Sequence, residues 1–125
     1  MKLAIIQKTY SLPFYEVYQK LKENIITEGF LLLHEIDTQK IVASHSIEIS
    51  KLKQILFFHP RYIQQIVTQD DLAINEIPIK IVLYEMPDKQ IRISCPNPIL
   101  RLHNYVLDKN IAEELLKIIN KVITI

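Results

Sequence analysis

The chain is poor in cysteine, glycine and tryptophan: its 125 residues include one Cys (Cys95), one Gly (Gly29) and no Trp. A lone cysteine rules out an intramolecular disulfide, and with it disulfide-stapled secreted scaffolds and zinc sites built from several thiolates. A reducing, cytoplasmic compartment is the expectation. A lone glycine rules out the glycine-rich loops that let backbone approach a phosphate, so Walker-type and dinucleotide-binding fingerprints are absent. Long apolar runs are missing too, although hydrophobic residues make up 49% of the chain. A membrane-spanning helix needs roughly 20 consecutive apolar residues, whereas the run at 30–33 is stopped by His34 and Glu35. The amino terminus, 1–8, has an apolar stretch too short for a secretory signal and no small-residue cleavage pattern after it. No membrane association is expected.

Nor is there an excess of one charge. Fifteen basic and 14 acidic residues leave a net charge of +1, with both signs scattered along the chain. Sequence-independent affinity for nucleic acid comes from neutralising several phosphates with a basic stripe. The nearest approach, Lys51-Leu52-Lys53, reads as the solvent side of a strand, so no nucleic-acid partner is expected. No repeat, low-complexity segment or linker divides the sequence, and residues 1–125 are read as a single domain. A domain of this length buries roughly two thirds of the surface it exposes unfolded, so it needs no covalent staple.

The periodicities give an order β-α-β-(α)-β-α-β-β-α. Residues 2–9 read as a strand. A helix over about 12–28 is capped by Ser11, with Phe14, Val17, Tyr18, Leu21 and Ile25 on one stripe, and Gly29 supplies its left-handed stop. Residues 30–37 form a strand whose alternation assigns Phe30, Leu32, His34 and Ile36 to one face and Leu31, Leu33, Glu35 and Asp37 to the other. Residues 38–49 hold at most a short helix near 40–44, and 51–58 read as a third strand. His59-Pro60 opens a helix to about residue 68 carrying Ile63, Ile66 and Val67, with proline where its missing N–H costs nothing. The clearest hairpin pairs 79–86 with 91–95 across Pro87-Asp88-Lys89-Gln90. A capping box, Asn110-Ile111-Ala112-Glu113, opens a last helix with Leu115, Ile118, Ile119 and Val122 on its apolar face. The predicted fold class is α+β: a two-layer sandwich in which a mixed or antiparallel sheet of about five strands carries helices mainly on one face.

Several of these elements, in their order and spacing, resemble the domain of unknown function 302 family, over roughly residues 12–120. They are Gly29-Phe30 entering a strand that ends Glu35-Ile36-Asp37, His59-Pro60 opening a helix, Pro78 leading into Ile81-Val82-Leu83-Tyr84-Glu85, and Ile93-Ser94 followed by Pro98. The resemblance implies an α+β fold that commonly forms homodimers, and no established activity. Members often carry cysteines at positions corresponding to Phe58 and Ile79, so thiol or metal chemistry dependent on that pair is lost here.

Candidate chemistry is sparse. His34, His45, His59 and His103 lack the short spacings of a local metal site, and no metal or other cofactor is expected. His34 draws notice for sharing a face with Phe30, Leu32 and Ile36, which would oblige it to find a hydrogen-bond partner. Cys95 ends a strand beside Pro96; a nucleophilic thiol needs a lowered pKa, and the alternative is a structural, core cysteine. Glu85 continues the face of Ile79, Ile81 and Leu83, where a carboxylate is a candidate for a raised pKa unless the strand end reaches solvent. The paired Tyr15 and Tyr18 read as helix packing. His34, His59, Glu85 and Cys95 are therefore the ligand-pocket candidates. The leading functional reading is a non-catalytic module binding a small molecule or a protein partner, and the second is an enzyme or redox accessory using a His/Glu/Cys cluster; their convergence in one pocket discriminates the two. The high isoleucine content, and strands apolar on both faces, further predict a homodimer, with Leu31, Leu33, Ile55 and Phe57 at its interface.

Overall fold

The computed structural model describes residues 4–125. Its elements run β1 (Ile5–Tyr10), α1 (Phe14–Thr27), β2 (Leu31–Asp37), α2 (Thr38–Ala43), β3 (Leu52–Phe58), α3 (Pro60–Gln69), a 3-10 segment (Asp71–Glu76), β4 (Ile79–Glu85), β5 (Ile91–Pro96), α4 (Pro98–Arg101) and α5 (Lys109–Val122). All five strands form one sheet in the order β1-β5-β4-β3-β2, every neighbouring pair antiparallel. The α+β class holds, and of the two sheet types predicted, the antiparallel one is observed. Residues 2 and 3 of the predicted first strand lie outside the described residues.

The hairpin places β4 at the centre of the sheet. Its turn closes through Lys89 N–H to Met86 C=O (2.8 Å) and Met86 N–H to Gln90 C=O (2.8 Å). The Asp88 carboxylate accepts from Gln90 N–H at 3.0 Å, and Lys89 takes the positive φ of 71° that the tight reversal demands. Gly29 closes α1 with φ 88°, as its lack of Cβ permits. A Cβ there would stand 2.8 Å from His59 Nε2.

Helix starts differ from the predicted caps. Pro13, not Ser11, is the N-cap of α1, and its carbonyl accepts from Glu16 N–H (3.0 Å) and Val17 N–H (3.1 Å). At α5 the N-cap is Asp108 rather than Asn110, with no side-chain cap bond. The Asp108 carboxylate is drawn away: it accepts from Gln69 Nε2 at 3.1 Å while Gln69 Oε1 accepts from Asp108 N–H at 2.7 Å, which ties the start of α5 to the end of α3. On α3 the buried residues are Tyr62 and Ile66, and Val67 of the predicted stripe is 49% exposed.

One face of the sheet is covered. Phe14, Val17, Leu21 and Ile25 of α1, Tyr62 and Ile66 of α3, and Ile111, Leu115, Ile119 and Val122 of α5 form a single core with Ile55, Phe57, Ile81, Leu83, Ile91, Ile93 and Cys95 of the strands. Each fully buried side chain of Leu or Ile size adds roughly 1.5–3 kcal/mol relative to exposure, so this layer dominates stability. Strand alternation sends Leu52, Leu56 and Phe58 of β3 and Val82 and Tyr84 of β4 to the opposite face, where they are only partly buried and outside that core.

Two sequence-based assignments fail here. Ile55 and Phe57, expected at a second, exposed face, are fully buried under the helices, because their position in β3 has the parity of Ile81 and Leu83. The strand is apolar at adjacent positions, so composition could not fix which set faces which way. In β2 the alternation breaks: Leu32 pairs with Phe57 but His34 pairs with Leu56, a bulge at Leu33. Leu32 therefore faces the core, His34 the open side, and Glu35, opposite Ile55, returns to the helix side. The shared face of His34 with Phe30 and Leu32 is overturned by that extra residue.

Candidate functional site

The four candidates do not meet. His34 lies exposed on edge strand β2. His59 is the N-cap of α3, its Nδ1 accepting from Arg61 N–H at 3.3 Å, and its ring stands edge-on to Phe30 (5.1 Å) and Tyr62 (5.3 Å). Glu85 is at the other end of β3: its N–H donates to Lys51 C=O at 2.9 Å. The eight residue steps from Lys51 to His59 span roughly 26 Å at about 3.3 Å each. Glu85 pairs with Lys89 at 3.8 Å. Cys95 is 1% exposed in the core, and burial pushes its thiol up to about 12, with the Arg101 charge opposing only in part. A thiol so placed is protonated at neutral pH and is a packing residue. Among the described residues, no group of three or more His, Cys, Asp or Glu side chains is arranged to hold a metal ion.

The fold instead assembles two groups that sequence alone did not single out. The first joins α1 to β2. Tyr18 donates a short hydrogen bond to Glu35 Oε1, Lys22 Nζ lies 3.2 Å from Glu35 Oε2 and 3.3 Å from Tyr18 Oη, and Lys53 Nζ sits 4.2 Å from the centre of the Tyr18 ring. Burial alone would raise the Glu35 carboxyl; the Tyr18 and Lys22 hydrogen bonds, with the Lys22 and Lys53 charges, outweigh it and hold the group below its ordinary value. Lys22 is raised by its bonds to Tyr18 and Glu35. Each carboxylate oxygen has a partner from α1, Tyr18 on Oε1 and Lys22 on Oε2, so this cluster clasps α1 to the sheet. Tyr18 and Lys22 are one helical turn apart, which was readable; the bulge that brings Glu35 to them was not.

The second is a cleft where β4 begins and β5 ends, with about 70 Å³ of free volume, lined by Ile77, Pro78, Ile79, Pro96, Leu102 and Leu115 and by three charged side chains, Glu76, Lys80 and Arg101. Arg101 Nε lies 3.9 Å from Glu76 Oε2, and Tyr105 Oη donates to Glu76 Oε1 at 3.3 Å. The 24 residues between Glu76 and Arg101 hide this pairing from any local motif.

A two-layer α+β sandwich with a covered and an open sheet face, and no assembled catalytic or metal centre among the described residues, is the class this geometry defines. The chain belongs to the family described as domain of unknown function DUF302, whose model matches residues 6–124. It is similar in fold to an uncharacterised conserved DUF302 protein from Bacillus stearothermophilus, seen in a crystal structure: TM-score 0.87 at 18% identity, covering 98% of this chain and 97% of that one. No curated protein matches the sequence. No helix among the described residues is long and apolar enough to cross a membrane.

Proposed function

We propose that this protein is a non-catalytic, cytoplasmic binding module that works as a homodimer, its second copy covering the open face of the sheet. The observation that carries this reading is the chemistry of that face. Leu52, Leu56, Phe58, Val82 and Tyr84 lie across its central strands without packing into the core, and Leu31, which pairs with Phe58, is 48% exposed beside them. Large apolar side chains on an uncovered sheet face, here interspersed with Gln54 and Lys80, favour an interaction surface, and a second copy covers it by a two-fold, self-complementary contact. Of the interface residues expected from sequence, Leu31 and Leu33 stay in the proposal; Leu56 and Phe58 take the places of the core residues Ile55 and Phe57.

The enzyme reading finds no support in the separation of His59 from Glu85 or in the buried thiol of Cys95. Light scattering at micromolar concentration tests the proposal. A dimer mass is expected, with Leu56→Lys shifting it to monomer while helix content is retained, and Leu33→Lys, at the edge bulge, weakening association less. A clean monomer mass for the unmodified protein overturns it.

A further inference from the structure

We infer that the cleft between the start of β4 and α4 is a site for a small aliphatic monocarboxylate of four to six carbons, its tail on the apolar floor and its carboxylate at Arg101. This rests on the binding-module reading above, though not on the dimer.

Size sets the first limit. A water needs about 10–15 Å³ of such volume, so 70 Å³ takes about five non-hydrogen atoms. That fits a short aliphatic tail. The floor, Ile77, Pro78, Ile79, Leu102 and Leu115, is aliphatic, with no aromatic ring for a planar ligand to stack upon.

Charge sets the second. Two cations and one anion border the cleft, which favours a single negative charge over a neutral or cationic ligand. The Glu76 to Arg101 contact runs through Nε alone at 3.9 Å, a one-point pair at the limit of contact. Among the described residues no hydrogen bond engages the η nitrogens of Arg101, whose side chain is 59% exposed, and a carboxylate takes that edge in the bidentate geometry guanidinium favours. Lys80, exposed and in no ion pair among the described residues, adds a second attraction at the mouth.

The test titrates isovalerate into the ¹⁵N-labelled protein and follows amide shifts, with isobutylamine and isoamyl alcohol as charge-altered probes of similar shape. Shifts centred on Ile77, Ile79, Arg101 and Leu102 are expected, with isovalerate bound at least about tenfold more tightly than either probe. Arg101→Gln weakens isovalerate about tenfold and Lys80→Gln less, whereas Glu76→Gln, by removing the competing anion, tightens it. That opposite sign separates charge recognition from damage to the fold, since all three residues are surface-accessible. Absence of shifts at these amides, equal binding of isobutylamine, or insensitivity to Arg101→Gln overturns the assignment. Because the dimer mass is measured separately, a dimer that ignores isovalerate refutes this ligand class while leaving the module reading intact.

Discussion

The two faces of the sheet differ by a single step along each strand, yet only one of them is sealed by helices. Ile81 and Leu83 are sealed beneath α1, α3 and α5, while Val82 and Tyr84, their immediate neighbours, take no part in that core. Hydrophobicity therefore says little about which residue holds the fold and which is available to a partner. Parity against the helices decides it.

The sharpest way to break this comparison is to place the same charge on adjacent residues. Ile81→Asp buries an uncompensated carboxylate and is expected to cost well above about 2 kcal/mol, with Ile93→Asp behaving alike. Val82→Asp should leave the monomer fold largely intact and act on association instead. Urea unfolding beside light scattering reads both, and near-native melting of Ile81→Asp would remove the distinction.

A smaller, uncharged change probes the covered side. Gly29→Ala forces a side chain into the left-handed region at φ 88° with His59 Nε2 only 2.8 Å from the new Cβ. A loss of about 1–2 kcal/mol is expected from the backbone alone, and more if the imidazole must move. Because His59 also caps α3, the cost of Gly29→Ala is measured again in a His59→Ala background, where only its steric part is recovered; an unchanged cost there assigns the whole effect to backbone strain.

The smallest effect belongs to the clasp at the margin. Glu35 is held below its ordinary value of 4.5, so its contribution is complete above that pH and is lost as pH falls through the lowered folded value. Lys22 is held above 10.5, so its share is complete below that pH and lost as pH rises through the raised one. Tyr18→Phe should cost less than about 1 kcal/mol at neutral pH and reduce the loss of stability on the acid side. Urea midpoints across the acid range check this; an unchanged pH profile would show the clasp to be inert.

Much of this architecture was legible in the sequence, and the gaps have physical causes. The hairpin was visible because β-branched runs flank a turn that contains Pro87 and Asp88, and the end of α1 because Gly29 alone takes a positive φ there without strain. The facing of β2 and β3 was not. In β3 the run Ile55-Leu56-Phe57-Phe58 is apolar at every position, leaving alternation without contrast, and in β2 the bulge at Leu33 shifts the alternation within an otherwise regular strand. Cap residues were misread where a tertiary partner, such as Gln69 for Asp108, outbids the local backbone. The candidate site suffered most, since Glu76, Lys80 and Arg101 are joined only by the way β4, β5 and α4 come together.

The bulge at Leu33 also bears on how the sheet can grow. An edge strand is a template for adding further strands without limit, and β2 blunts that template by interrupting its register at Leu33. The other edge, β1, runs in unbroken register from Ile5 to Tyr10, but it carries Lys8 on the helix side, opposite Ile93, with Nζ donating to Thr124 Oγ1 at 2.7 Å. A charged lysine on an edge strand is a recognised guard against edge pairing. With both edges guarded, open-ended strand addition, which leads to fibres, is disfavoured, and the proposed two-fold contact on the flat face would close after two copies, so that growth stops.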